Sequence, residues 1–331
     1  MNVVNILDSY NRKINYLRIS VTDRCNLRCR YCMPEEGISK LEHDKILSLE
    51  DIARLVKVGA GIGIRKIRLT GGEPLIRSHI AQLIASIRKI PEIDDIAITT
   101  NGVLFCGMAE ELKAAGLDRA NFSLDTMVAE KFEFITRRNH RTEVKRAIFK
   151  ALDLGLEPVK INTVAIKGFN DDELLDFAKL AYDFPLHIRF IEFMPIGDVL
   201  FWNRDRMISS EEIREKIARR YELTPTKISK GSGPAVYFKL AGGQGTIGFI
   251  TPMSHKFCSE CNRLRLTAEG KLRGCLYDKR EIDLKAALEH KSDDEELKKL
   301  FIQAISLKPS EHHMNEGWGK DNLRKMSQIG G

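Results

Sequence analysis

The chain has 331 residues, 43% of them hydrophobic and 30% charged, the balance of a soluble globular protein with room for a large core. Residues 1–30 lack the apolar stretch of a signal peptide, and no run of about 18 apolar residues suggests a membrane span, so a cytoplasmic protein without membrane contact is expected. The net charge of +7 is moderate and scattered; a polyanionic small molecule and a nucleic acid are both compatible with it. The seven cysteines fall as a triplet, a single residue and a triplet, which excludes a disulfide framework and reads as metal or cluster ligands in a reducing compartment.

The first predicted element is a strand over residues 16–21. A loop leaves its C-terminal end and carries Cys25, Cys29 and Cys32, spaced C-x3-C-x2-C. Three thiolates can hold three corners of an iron–sulfide cube, leaving one iron open to a small molecule. Tyr31, immediately before the last cysteine, places a ring beside that corner. A structural zinc site wants four ligands, usually as two pairs, and there is no second pair nearby. This spacing with Tyr31 resembles the cluster loop of the radical S-adenosylmethionine (SAM) enzymes.

Further strands are predicted at 65–70, 95–100, 119–124, 158–166 and 187–194. Helices fall between them: from an N-cap at Ser48 to Gly59, from Ser78 past Ile87, and over about 107–115, 127–136, 142–154 and 171–182. Gly116 and Gly155 are placed to end helices. Six strands alternating with helices imply parallel pairing with right-handed crossovers. A doubly wound sheet and a partial barrel both fit. The barrel is favoured, because the cysteine loop and other candidate residues fall at strand ends, which converge on one face of a barrel. Cys106 reads as a bystander.

The composition changes after about residue 195. A loop over 196–208 precedes a helix from Ser209 to Tyr221, glycine-rich strand-like segments, a hairpin over 263–276 turning at Glu269-Gly270, and helices at about 281–290 and 293–305. Cys258, Cys261 and Cys275 form the second triplet, C-x2-C-x13-C. His255 could complete a zinc site with them; the presence of one open cluster upstream favours a second three-cysteine cluster. Arg263 and Arg265 share one face of a strand beside this triplet, a natural phosphate clamp.

With Thr22-Asp23-Arg24-Cys25, Cys32-Met33-Pro34, Arg68-Leu69-Thr70-Gly71-Gly72-Glu73-Pro74, Thr99-Thr100-Asn101-Gly102, Arg189 through Met194, Cys258 through Arg265, Gly274-Cys275-Leu276 and the terminal Gly330-Gly331, the chain resembles the GTP 3′,8-cyclases of molybdenum cofactor biosynthesis, within the radical SAM superfamily. The resemblance covers nearly the whole chain. It implies an α/β fold, an incomplete (β/α)6 TIM-type barrel over 1–195, closed by an α+β region over 196–331 with a second cluster and the Gly-Gly tail. It implies two 4Fe–4S clusters, on Cys25, Cys29 and Cys32 and on Cys258, Cys261 and Cys275, the first binding SAM and cleaving it. SAM contacts are implied for Tyr31, Gly71, Gly72, Glu73, Ser123 and Met194, and GTP contacts for Arg18, Arg68, Thr99, Lys160, Arg263, Leu264 and Arg265.

The implied reaction is hydrogen abstraction from C3′ of GTP, ring closure onto C8 and release of 5′-deoxyadenosine and methionine. The implied partners are a reductant such as flavodoxin or ferredoxin and, downstream, cyclic pyranopterin monophosphate synthase; neither nucleic acid nor membrane is expected. A monomer and a homodimer are equally compatible, and loops 35–47 and 196–208 match no family motif. Two other readings stand beside this one: a different two-cluster radical SAM enzyme, such as a peptide-maturing one, and a zinc-stabilised nucleic-acid-binding protein.

Overall fold

The computed structural model describes residues 7–38, 41–196, 201–228, 233–314, 324 and 326–329. Gly330 and Gly331 lie outside these, as do parts of loops 35–47 and 196–208. The first half alternates strand and helix: β1 (Tyr16–Ser20), α1 (Leu49–Gly61), β2 (Lys66–Thr70), α2 (Ile80–Arg88), β3 (Asp95–Thr100), α3 (Ala109–Ala114), β4 (Arg119–Ser123), α4 (Ala129–Thr136), α5 (Arg141–Asp153), β5 (Lys160–Ala165), α6 (Leu174–Asp183) and β6 (His187–Glu192). All six strands and their helices lie where the periodicity predicts them, to within a few residues. Ser48 caps α1, accepting from the Asp51 N–H at 3.0 Å. Gly116 and Gly155 both have positive φ, the left-handed turn that ends a helix.

The second half continues with α7 (Ser210–Ala218), β7 (Leu223–Thr226), β8 (Val236–Leu240), β9 (Thr246–Ile250), β10 (Arg263–Leu266), β11 (Lys271–Arg273), β12 (Ile282–Asp283), α8 (Leu284–Glu289) and α9 (Asp294–Ser306). The predicted hairpin is β10–β11, antiparallel, with Gly270 at positive φ in its turn. β7 and β12 were not foreseen as strands; both are short and lie at the ends of the sheet.

The sheet runs β12-β11-β10-β1-β2-β3-β4-β5-β6-β9-β8-β7. Strands β1 to β6 are parallel neighbours in chain order. The C-terminal half adds to both ends: β10 pairs parallel with β1, and β9 parallel with β6. Eight adjacent strands therefore run parallel. Among the described residues β9 and β10 do not pair with each other, so the barrel remains open in its hydrogen bonding.

Alternation sorts the side chains of these strands onto two faces. Leu17, Ile19, Ile67, Leu69, Ile96, Ile98, Phe122, Ile161, Ile188, Phe190, Leu264 and Leu266 join the main apolar core with the buried faces of the helices. The other face carries Tyr16, Arg18, Arg68, Thr99, Ser123, Asn162, Arg189, Arg263 and Arg265, and lines a cavity. Among the described residues no helix is long and apolar enough to cross a membrane.

The β6–β9 junction depends on Gly245, where an added Cβ would lie 2.0 Å from the Leu186 carbonyl oxygen. Gly245→Ala should therefore destabilise the protein by about 2–4 kcal/mol, whereas Gly107→Ala, which has open space around it, should stay within about 0.5 kcal/mol of wild type in chemical denaturation. Equal effects of the two substitutions would contradict the tight junction.

Candidate active site

The cavity occupies about 310 Å3, runs along the inner face of the sheet from the C-terminal end of β1 to the N-terminal ends of β1 and β10, and is lined by all six cysteines of the two triplets. The first triplet sits on the loop after β1. Backbone bonds shape that loop: Cys32 N–H and Met33 N–H both donate to the Cys29 carbonyl, at 2.8 and 3.1 Å. Arg28 N–H reaches Thr136 O and Arg30 N–H reaches Ile135 O, each at 2.9 Å, so the end of α4 supports the loop. Leu27 N–H and the Asn101 side-chain amide point at Cys25 Sγ, at 3.4 and 3.8 Å.

Gly71 and Gly72 press the β2 loop onto this one. A Cβ on Gly72 would lie 2.3 Å from the Arg24 carbonyl oxygen and one on Gly71 2.4 Å from that of Thr22. Gly72 N–H donates to the Thr22 carbonyl at 2.9 Å and Glu73 N–H to the Arg24 carbonyl at 2.7 Å.

Burial pushes the Cys25 thiol up to about 11 and the Cys29 thiol well above its ordinary range, the latter helped by the charges of Cys32 and Cys25. A group of buried thiols with these tendencies needs cationic iron to become thiolate. The second triplet differs. Burial raises Cys261, but the Arg263 guanidinium and the Lys308 ammonium outweigh it and bring the thiol down to about 6. Among the described residues no three His, Cys, Asp or Glu groups gather to seat a single metal ion. A cubane binds its thiolates one per iron on separate corners, so both triplets suit a cluster without a shared centre. His255 is exposed, sits 3.1 Å from Ser254 and 3.6 Å from Glu211, and does not line the cavity.

Between the triplets stands a wall of arginines. In the sheet register Arg18 is level with Arg68 on one side and with Arg265 on the other. Arg263, level with Tyr16, and Arg189, level with Asn162, extend it. Among the described residues these five guanidiniums share the cavity with a single carboxylate, Asp125. Burial and then Arg265 and Arg68 hold Arg18 well below its ordinary pKa. Burial brings Arg68 to about 10; burial with Arg263 brings Arg265 to about 9. Among the described residues Arg18 Nε, Arg68 Nε, Arg189 Nε, Tyr16 OH and Asn162 Oδ1 are buried and find no hydrogen-bond partner. A multivalent anion would relieve such crowding.

The structure brings most of the sequence-predicted residues together. Arg18, Arg68, Thr99, Arg263, Arg265, Tyr31, Gly71, Gly72, Ser123 and Met194 all line the cavity. Three do not. The Glu73 carboxylate is fully buried and bonded to Thr100 Oγ1 and Asn101 N–H at 2.7 Å and to Leu75 N–H at 3.0 Å, so it ties the end of β3 to the β2 loop. Burial lifts its pKa to about 7. Leu264 turns its side chain into the apolar core. Lys160 lies just beneath the cavity; burial, then Arg189, Arg119 and Arg68, lower it to about 5.

Sequence reasoning missed several cavity residues, among them Tyr16, Asp125, Asn162 and Arg189. Asp125 accepts from Tyr31 OH at 2.7 Å and from Val164 N–H at 2.9 Å. Burial raises Asp125 to about 6 and, with Asp125 beside it, raises Tyr31 well above its ordinary range. Arg189 donates to Asn121 Oδ1 at 3.0 Å. The end of the chain also reaches this wall: buried Ile329 accepts from Arg265 at 3.2 Å, and Met326 lines the cavity.

Residues 19–181 match the model of the Radical SAM superfamily, and residues 186–314 match Molybdenum Cofactor Synthesis C. The GTP 3′,8-cyclase of Syntrophomonas wolfei is 63% identical over 326 residues, 98% of this chain and 100% of the relative. The chain belongs to the GTP 3′,8-cyclase family. A second family member, from Desulforamulus reducens, is 54% identical over 98% of this chain and 100% of its own. Among solved structures, SuiB of Streptococcus suis shares the fold, with a TM-score of 0.57 at 14% identity over 86% of this chain and 67% of that one. With the radical SAM superfamily come SAM and an iron–sulfur cluster.

The arginine wall predicts a trade of stability against binding. In cluster-free protein, Arg18→Met should raise stability by ~1 kcal/mol, because it removes a desolvated charge from a like-charged row. Tripolyphosphate at a hundredfold excess over its dissociation constant should stabilise wild type by about 2.7 kcal/mol and Arg18→Met far less. Thermal unfolding with and without the anion checks both; a less stable variant that responds equally to tripolyphosphate would refute the wall.

Proposed function

We propose that this chain converts GTP to (8S)-3′,8-cyclo-7,8-dihydroguanosine 5′-triphosphate, releasing 5′-deoxyadenosine and methionine, as an early step of molybdopterin synthesis. The observation that carries this reading is one cavity lined by two cysteine triplets with Arg18, Arg68 and Arg265 level between them. Two 4Fe–4S clusters are assigned, on Cys25, Cys29 and Cys32 and on Cys258, Cys261 and Cys275. When bound, SAM on the first cluster supplies a 5′-deoxyadenosyl radical by one-electron cleavage of its sulfur–carbon bond.

The protein's work is to bind, orient and exclude water. Tyr31, Gly71, Gly72, Ser123 and Met194 form the SAM end, and Glu73 holds its floor through Thr100 and Asn101. Arg18, Arg68, Arg263 and Arg265 receive the triphosphate, whose charge repays the cost of burying them. Thr99 and Arg189 extend that surface. Burial and the neighbouring arginines favour the neutral form of Lys160, and an approaching phosphate would favour its charged form. The guanine is assigned to the second cluster. Residues 1–195 thus serve SAM and residues 196–331 the substrate base. A reductant such as flavodoxin or ferredoxin and, downstream, cyclic pyranopterin monophosphate synthase follow from this reading. A cavity lined by five guanidiniums suits a polyanionic nucleotide better than a polypeptide.

Incubation of anaerobically reconstituted protein with dithionite, SAM and GTP should give 5′-deoxyadenosine only when GTP is present. Cys29→Ala should abolish SAM cleavage. Cys261→Ala should retain slow, uncoupled cleavage and lose cyclisation. Arg265→Ala should raise the GTP concentration for half-maximal rate about tenfold or more, the loss of one charged hydrogen bond. Deoxyadenosine formation indifferent to GTP would sink the assignment.

A further inference from the structure

We propose that Lys308 is the resident counter-charge of the second cysteine triplet, a buried ammonium that holds Cys261 and raises the reduction potential of the cluster there. The inference rests on the assignment of Cys258, Cys261 and Cys275 as cluster ligands. Lys308 follows the end of α9 and turns back beneath the β10–β11 hairpin. It is 3% exposed. Its Nζ donates to Cys261 Sγ at 3.4 Å, to the Arg263 carbonyl at 3.0 Å and to the Gly274 carbonyl at 2.5 Å. Among the described residues no carboxylate pairs with it.

A buried ammonium costs several kcal/mol unless a negative charge answers it. Two carbonyls supply dipoles only, so the formal charge that answers Lys308 is the thiolate of Cys261. The two carbonyls also matter by position. Arg263 lies two residues after Cys261, and Gly274 immediately precedes Cys275. One ammonium therefore ties both arms of the hairpin to the ligands they carry.

A second side chain fixes the segment in place. Arg12 is buried and paired with Asp8 at 2.6 Å. Its guanidinium donates to Cys258 O at 2.8 Å, Ser310 O at 2.9 Å and Pro309 O at 2.6 Å. The chain just after Lys308 is thus stapled to the loop of the first ligand. The role differs from that of Arg263, which also reaches Cys261 but faces the cavity, where the triphosphate competes for it. Lys308 approaches from behind and keeps its charge on the thiolate whatever fills the cavity.

A fixed positive charge beside a cluster favours the reduced, more negative state, so its removal lowers the potential. Lys308 is a positioning residue in this account, acting through Cys261. The test is iron and sulfide analysis with an EPR-monitored redox titration of wild type, Lys308→Met and Lys308→Arg. Lys308→Met should retain iron for both clusters and shift the second cluster's midpoint downward, by at least a tenfold change in reduced-to-oxidised ratio, about 59 mV for one electron. Lys308→Arg should restore it. Two retained clusters with an unmoved midpoint would overturn the proposal. Should Lys308→Met lose the second cluster, Lys308→Arg decides: a cluster at wild-type potential supports the charge, and loss there too overturns it. Wild type with iron for one cluster would remove the parent assignment together with this inference, whereas the other failures leave that assignment standing.

Discussion

The centre depends on β10 lying parallel beside β1. That ladder sets Arg263 level with Tyr16 and Arg265 level with Arg18, and so completes an arginine row begun on β1 and β2. It also hangs Cys258 and Cys261 at one end of β10 and returns Cys275 through the β11 hairpin. Parallel strands need long connections, and here the connection is more than 240 residues, because β1 opens the sheet and β10 is added after the whole first half is built. The arginine row is completed across the two halves by this pairing.

The electrostatics of the cavity follow from it. Among the described lining residues five guanidiniums face one carboxylate, while burial pushes the Cys25 and Cys29 thiols toward their neutral form. Among the described residues lining the cavity, opposite charge does not match either group in number. Cationic iron would answer the thiols and a polyphosphate the arginines, so ligands of that chemistry would offset the cost of building the site. Glu73, buried between the β2 loop and the end of β3, and the Gly71-Gly72 approach to Thr22 and Arg24 keep the two ends in fixed relation while these charges wait.

The parallel half of the fold was legible because period-2 and period-3.6 patterns alternate cleanly from Tyr16 to Glu192. What periodicity does not carry is partnership. Nothing in Thr246–Ile250 or Arg263–Leu266 says that one joins β6 and the other β1. Both triplets and the Arg263–Arg265 pair were legible from spacing. Arg189 was missed although a signal existed: a charged residue within a strand that is buried on both faces must look into a cavity, as Arg18 and Arg68 do. Asp125 and Asn162 carried no such mark, and Lys308 acquires its meaning only through contacts far along the chain. Leu264 shows the converse, a residue inside a functional run whose side chain faces the core.

The most direct test of one cavity with two differently occupied ends is EPR of the reduced, fully loaded protein, with SAM and GTP added separately and together. SAM should perturb one cluster signal and GTP the other, and in Cys25→Ala only the GTP-responsive signal should remain. Both ligands perturbing the same cluster, or GTP perturbing neither, would contradict the account.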